Sequence, residues 1–177
     1  NAAVYDEEKV YRQCGFFLEQ VSGMVKVRQV RAGSPADLAG IRENDILMTL
    51  GGELLEWLLY REILNKFLNT IPQVNISLFR VTSLSPVSRG LLSKLGFPYF
   101  FWGLTCALEY QGMTIRKIVS GYSAAKAGLR KGDIIITVHG IPVQFVPPVK
   151  VYQLMMGNRK ALHMSIERYV SFWKELK

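Results

Sequence analysis

Residues 33–47 of the chain read GSPADLAGIRENDIL, and residues 121–135 read GYSAAKAGLRKGDII. The two segments align without a gap at an offset of 88 residues, and the same offset pairs Gly15 with Gly103 and Gly52 with Gly140. Such a repeat predicts two copies of one structural unit, each of roughly 85 residues.

The first copy carries the signals of a short helix. Ser34 is suited to cap the helix, Pro35 suits its first position, where an N–H is not needed, and Gly40 suits a left-handed residue that ends it. We expect the helix to have barely two turns.

The turn that follows the short helix is also similar in the two copies. Asn44 stands where the second copy has Gly132, and asparagine tolerates positive φ better than most residues. Asp45 and Asp133 come next, and we expect each carboxylate to accept backbone N–H groups before an apolar strand.

Short strands and one longer helix surround this centre in both halves, so the fold class is α+β. In the first copy we predict strands at 16–19, 25–30, 46–50 and 74–81 and a helix at 58–68. In the second copy we predict strands at 104–110, 114–119, 134–138 and 161–168 and a helix at 148–156. The Ser, Pro and Gly content of 83–95 predicts a linker between domains at 1–82 and 96–177.

The 177 residues are 49% hydrophobic, a balance that suits a folded chain with buried cores. The longest uncharged apolar run, 95–108, is shorter than the roughly 20 residues that span a bilayer and contains Pro98. The chain does not begin with Met, and we expect it to be a piece of a larger protein.

The net charge of +8 lies entirely in the second half: residues 1–90 carry ten basic and ten acidic side chains, and residues 91–177 carry twelve basic and four acidic ones. Three basic doublets, Arg116-Lys117, Arg130-Lys131 and Arg159-Lys160, contribute to this excess. Binding to an acidic membrane or a nucleic acid by this half is therefore an alternative function. We favour solvated surface charge and expect no nucleic-acid partner.

The side-chain inventory does not predict catalysis. The two histidines, His139 and His163, are not in a metal-ligand or nucleophile-base pattern, and no Gly-x-Ser-x-Gly or phosphate-binding loop occurs. We expect no cofactor, no metal and no enzymatic activity in this chain, and any protease domain would lie outside it.

The repeated Ala-x-x-Ala-Gly-Ile/Leu segment, followed by Asn/Gly-Asp-Ile-Ile/Leu, resembles the PDZ domain in its bacterial form, as in HtrA-type serine proteases and in secretion proteins. The resemblance covers nearly the whole chain twice. It implies two small, partly open antiparallel β-barrels or sandwiches, each with one short and one longer helix. It also implies a location in the bacterial periplasm or cell envelope.

In PDZ domains a peptide, often a C-terminal one, adds as a strand beside the longer helix, and its carboxylate binds backbone N–H groups of a loop centred on glycine. The resemblance carries that loop to Cys14-Gly15-Phe16 in the first copy and to Trp102-Gly103-Leu104 in the second. The remaining groove residues that it implies are Leu18, Leu59 and Ile63 in the first copy and Cys106, Val151 and Met155 in the second.

The implied partners are extended or C-terminal hydrophobic peptides, with acidic tails favoured by the second copy and homo-oligomers formed through the parent protein. The leading expectation is a recognition or regulatory part of an HtrA-like protease. The alternative is a scaffold or secretion-system component. Residues 53–59 depart from the family pattern, which leaves open whether the first groove is lined unusually or occluded.

Overall fold

The computed structural model describes residues 2–70, 72–86 and 101–175, which form two compact units. Unit 1 comprises the residues up to Arg80 together with those from Tyr169 onward, and unit 2 comprises Val81–Arg168. Both units are built from antiparallel strands and few helices, so the chain is a mixed α and β protein.

Unit 1 begins with a helix that the sequence did not predict. Its elements are α1 (Ala2–Cys14), β1 (Phe16–Val21), β2 (Met24–Val30), α2 (Pro35–Leu38), β3 (Ile46–Leu50), β4 (Glu53–Leu54), α3 (Tyr60–Asn69) and the first part of β5 (Gln73–Leu84). Strand β1 pairs with β2, β2 with β3, and β3 with both β4 and β5, all antiparallel.

Unit 2 follows the same order without a described counterpart of α1. Its elements are β6 (Leu104–Glu109), β7 (Gly112–Ile118), α4 (Ser123–Lys126), β8 (Ile134–Val138), β9 (Ile141–Pro142), α5 (Pro148–Met156) and the first part of β10 (Leu162–Trp173). Strand β6 pairs with β7, β7 with β8, and β8 with β9 and β10.

The short helix α2 begins as the sequence predicts. The Ser34 hydroxyl accepts a hydrogen bond from the Asp37 N–H at 3.2 Å, and Pro35 is the first helical residue. Gly40 has a φ of 89° and follows a helix of only four residues, so the helix is one turn rather than the nearly two turns expected.

The turn before β3 and β8 also matches its prediction. Asn44 has a φ of 73° and Gly132 a φ of 95°, so both adopt the left-handed conformation. The Asp45 carboxylate accepts the Arg42 N–H at 2.8 Å, and the Asp133 carboxylate accepts the Arg130 N–H at 2.9 Å.

Each of these aspartates also binds an arginine that the sequence did not predict to be paired. Arg80 donates to both carboxylate oxygens of Asp45 at 2.7 Å, and its Nη2 donates to Gly40 O at 2.7 Å. Arg168 makes the same bonds to Asp133, at 2.7 Å each, and to Gly128 O at 2.8 Å. Each residue of this arrangement in unit 1 lies 88 positions before its counterpart in unit 2: Arg80 before Arg168, Asp45 before Asp133, and Gly40 before Gly128.

A hydroxyl pair is repeated at the same offset. Thr49 Oγ1 lies 2.5 Å from Ser77 Oγ in unit 1, and Thr137 Oγ1 lies 2.6 Å from Ser165 Oγ in unit 2. The repeat in the sequence therefore extends to hydrogen bonds between elements that are distant in sequence.

The C-terminal segment completes the core of unit 1. The Phe172 side chain is 7% exposed and contacts the Phe16 ring edge-on, with ring centroids 6.4 Å apart. The Lys174 ammonium donates to Phe67 O, a carbonyl in the last turn of α3, at 2.9 Å. The compact units thus differ from the predicted domains 1–82 and 96–177, because residues from Tyr169 onward belong to unit 1.

Most of the predicted linker, 83–95, lies outside the described residues; its first part continues strand β5 as far as Leu84. In the described ranges, the helices are too short or too polar to span a bilayer.

Candidate peptide-binding site

The predicted groove residues of unit 2 lie together. Strand β6 is at the end of its sheet, and α5 packs beside it. The side chains of Leu104 and Cys106 from β6 and of Val151 and Met155 from α5 are all buried in one hydrophobic cluster. These four side chains form the part of the core that lies between an end strand and a helix, beside the edge where an added strand would lie.

The loop that leads into β6 is held by Trp102. The Trp102 side chain is fully buried, and its indole N–H donates to Met155 O at 3.1 Å, which joins the loop to α5. Gly103 has a φ of 78°, and a Cβ on it would lie 2.2 Å from the Cβ of Tyr122. Only glycine fits this position.

The Gly103 carbonyl accepts the Val119 N–H at 2.9 Å. A backbone N–H group in a loop of this kind, ahead of an end strand, can donate to an anion.

Sequence reasoning missed Tyr152. Its hydroxyl accepts the Cys106 N–H at 3.1 Å and donates to Cys106 O at 3.0 Å. Burial raises the pKa of Tyr152. The available signal was its place in α5, three residues before Met155 and therefore on the same face of the helix.

The corresponding loop of unit 1 directly follows helix α1. Cys14 is the last residue of α1, and the Gly15 N–H donates to Tyr11 O of that helix at 2.9 Å. Gly15 has a φ of 99°, and a Cβ on it would lie 2.1 Å from the Cβ of Ser34. The Gly15 N–H of this loop is therefore already bonded to α1. The C-terminal end of α1, which carries the negative end of the helix dipole, lies at this loop.

Helix α1 packs against both β1 and α3, which are the two walls of the first predicted groove. Val10 is buried in the core of unit 1, and the Tyr11 ring stacks on Phe17 with centroids 4.2 Å apart. Glu7 Oε1 lies 2.5 Å from the hydroxyl of Tyr60, the first residue of α3. The chain itself thus fills the space between β1 and α3.

Of the residues predicted to line the first groove, Cys14, Phe16, Leu18 and Ile63 are buried together in the core cluster. Leu59 precedes α3 and its side chain is 69% exposed, so the structure does not bring it into that cluster. The neighbouring Tyr60 reaches β1 instead: its hydroxyl lies 2.8 Å from Leu18 O. Burial, followed by the Glu7 carboxylate, raises the pKa of Tyr60.

Both cysteines are free thiols. Burial raises the pKa of Cys14 to about 12 and that of Cys106 to about 11. At neutral pH both thiols are protonated and serve as apolar packing groups.

The two histidines lie near each other in unit 2. His139 donates its backbone N–H to His163 O at 2.7 Å, and the two ring centroids are 5.7 Å apart. The described residues contain no group of three or more His, Cys, Asp or Glu side chains placed to hold a metal ion.

The comparison with protein families gives one result. Residues 98–167 match the model of the PDZ domain. The matched range lies within unit 2 and includes β6, α5 and the loop at Gly103. Unit 2 therefore contains a segment similar to the PDZ domain, a class of domain that binds the C-termini of protein partners, and this similarity supports a protein-interaction function.

No curated protein matches the chain.

Proposed function

We propose that this chain is the peptide-recognition part of a larger protein and that unit 2 binds extended, often C-terminal, hydrophobic tails by strand addition to β6. The observation that carries the proposal is the position of β6 at the end of the sheet, beside α5 and directly after the Gly103 loop. Main-chain hydrogen bonds would supply affinity, and the apolar wall formed by Leu104, Cys106, Val151 and Met155 would select the side chains of the peptide.

The preferred terminal residue follows from the chemistry of the wall. Leu104, Cys106, Val151 and Met155 present only carbon and a protonated sulfur, so a charged side chain would lose its hydration without gaining a partner. A hydrophobic side chain, in contrast, gains by burial.

We further propose that unit 1 is a second PDZ-like unit, so that the chain is a tandem repeat. The repeated ion pairs, Arg80 with Asp45 and Arg168 with Asp133, support this, because they join the same elements at an offset of 88. Unit 1 would then serve as a regulatory or architectural copy, since α1 fills the space between β1 and α3.

For the parent protein we favour an HtrA-like protease, in which this chain would recognise substrate or regulatory tails without catalysing a reaction itself. The sequence motif of the bacterial PDZ form supports this choice. The alternative parent is a scaffold or secretion-system component that uses the same grooves for assembly.

An acidic membrane or nucleic acid remains the alternative partner for the basic half. The structure lends it little support, because Arg116 binds Glu109 at 2.9 Å and Arg159 lies over the Phe101 ring at 5.9 Å. Arg116 and Arg159 are thus already engaged within unit 2.

The test is a C-terminal peptide library screened against the full chain, followed by amide chemical-shift mapping of an enriched peptide. We expect a hydrophobic terminal residue, shifts on β6 and α5, and little change on β1. Amidation of the peptide terminus should weaken binding by about tenfold or more, because a carboxylate gains more from backbone N–H groups than a neutral amide does. A library without enrichment, or shifts confined to unit 1, would contradict the proposal.

A further inference from the structure

The hydroxyl of Tyr152 occupies the hydrogen-bonding position on β6 that an added strand needs. Both backbone groups of Cys106 point towards it, with the N–H at 3.1 Å and the carbonyl at 3.0 Å. In an antiparallel ladder a residue that faces a partner strand uses this same pair of groups. On its other side β6 is already paired with β7.

Unit 1 has a similar contact at the equivalent strand residue. Leu18, 88 positions before Cys106, has its carbonyl oxygen 2.8 Å from the hydroxyl of Tyr60. Tyr60 is at the start of its helix, whereas Tyr152 lies in the second turn of α5. The two units thus place a tyrosine hydroxyl on the same strand carbonyl from different helix positions.

The two contacts differ in what supports them. The Tyr60 hydroxyl also lies 2.5 Å from the Glu7 carboxylate of α1, so a second helix covers it. Among the described residues, the Tyr152 hydroxyl makes both of its hydrogen bonds to Cys106, and its side chain is only partly buried. Tyr152 therefore makes both of these hydrogen bonds to one residue, while its ring packs against the core of unit 2 without the cover of a second described helix.

We propose that Tyr152 is the gate of the unit 2 groove: its hydroxyl takes the two Cys106 hydrogen bonds in the free protein, and a binding peptide must displace it. This inference rests on the proposed function of unit 2. It makes Tyr152 a residue that sets peptide affinity, because at this position the peptide replaces bonds that the protein already makes.

The replacement of the Tyr152–Cys106 hydrogen bonds by hydrogen bonds from the peptide has a direct consequence for ligand choice. A peptide gains nothing net from pairing with Cys106, so it must bind through its terminal side chain and its other main-chain bonds. The gate consequently rejects short or polar tails that offer only backbone pairing.

Two variants test the gate in the full chain. Tyr152→Phe removes the hydroxyl and keeps the ring, while Tyr152→Leu removes the ring and introduces the residue that unit 1 has at the equivalent position, Leu64. Tyr110→Phe is the matched control, because its side chain is fully exposed, at 100%. The probe is a short library-enriched peptide that ends in Leu or Val with a free carboxylate.

The first readout needs no peptide. Hydrogen exchange of the Cys106 amide should accelerate about tenfold or more in Tyr152→Phe relative to the buried Ile135 amide, and should not change in Tyr110→Phe, since about 1 kcal/mol per net hydrogen bond is lost. The second readout is peptide affinity, which should rise roughly fivefold to tenfold in Tyr152→Phe or Tyr152→Leu for the same reason.

Unchanged Cys106 exchange in Tyr152→Phe would overturn the gate, as would affinity that stays constant or falls in both variants. If no variant and no wild-type chain binds any enriched peptide, the proposed function of unit 2 fails. The exchange result distinguishes these failures, because it reports on the Tyr152–Cys106 bonds alone.

Discussion

The Arg168 guanidinium donates to both oxygens of the buried Asp133 carboxylate, at 2.7 Å each. Arg80 and Asp45 form the same pair 88 residues earlier in the chain. The third donor of each arginine binds the carbonyl of the glycine that ends the short helix. In each unit, one arginine in the interior of a long strand thus holds the short helix and the following turn together.

Loss of Arg168 should strongly destabilise unit 2. Arg168→Met leaves the Asp133 carboxylate buried without its counter-charge, and we expect a loss of about 3 kcal/mol in the free energy of opening, measured by hydrogen exchange of unit 2 amides. Arg116→Met is the control, since its pair with Glu109 is exposed and should contribute less than about 1 kcal/mol. Equal effects of the two substitutions would contradict the structural role of Arg168.

The C-terminal segment should stabilise unit 1 selectively. Phe172→Ala removes a buried ring from the core that contains Phe16, and we expect it to cost about 3 kcal/mol. Exchange of amides in β2 and β3 should accelerate, while those in β7 and β8 report on unit 2. Trp173→Ala, whose side chain is 66% exposed, should change unit 1 by well under half of that amount. Faster exchange confined to unit 2 would be inconsistent with the unit boundaries.

Two glycines with positive φ should respond differently to alanine. Gly103→Ala adds a Cβ 2.2 Å from the Tyr122 Cβ, in addition to the cost of the left-handed conformation, so we expect a loss of at least about 2 kcal/mol. Gly132→Ala has no atom within 4 Å of the added carbon and should cost about 1 kcal/mol. Gly132→Asn should cost less still, because Asn44 adopts this conformation in unit 1. Thermal or chemical unfolding of the three variants measures the order, and a reversed order would refute the steric argument.

Stability should fall in mildly alkaline solution because of the two thiols. Their pKa values are raised to about 12 for Cys14 and about 11 for Cys106 in the folded chain, while an unfolded thiol has a pKa of about 8.5. Above roughly pH 9 the unfolded chain therefore loses protons that the folded chain keeps, which costs about 1.4 kcal/mol per pH unit for each thiol. Below that pH the thiols contribute no pH dependence.

Urea unfolding between pH 8 and pH 10 measures this slope. A variant with Cys14→Ala and Cys106→Ala should be less stable at pH 8 yet show a shallower decline. The raised pKa values of Tyr60 and Tyr152 would leave a smaller residual slope near the upper end of the range. The same slope in both proteins would show that the thiols do not cause it.

The local part of the fold could be predicted from sequence because its determinants are local. The cap at Ser34, the left-handed residues Gly40 and Asn44, and the acceptor Asp45 act within a few residues of one another. Helix α5 spans Pro148–Met156, and Pro148 is at the first helical position, as predicted.

The features that the sequence did not predict depend on distant contacts. Among the side chains of α1 that the structure describes, Val10 and Cys14 are the fully buried ones, too few for a clear apolar pattern without knowledge of β1 and α3. Arg168 and Tyr152 read as ordinary surface residues, because their partners Asp133 and Cys106 lie 35 and 46 positions away. The motif was sufficient to name candidate groove residues. It could not predict whether another part of the chain already occupies the groove.

The position of Phe172 and Lys174 in the core of unit 1 also determines the order in which the chain can mature during synthesis. All of unit 2 leaves the ribosome before these two residues do, although unit 1 is the N-terminal unit. Domains generally fold in N-terminal-first order during synthesis. In this chain, the core of unit 1 lacks two of its own side chains until the segment that follows unit 2 has been synthesised.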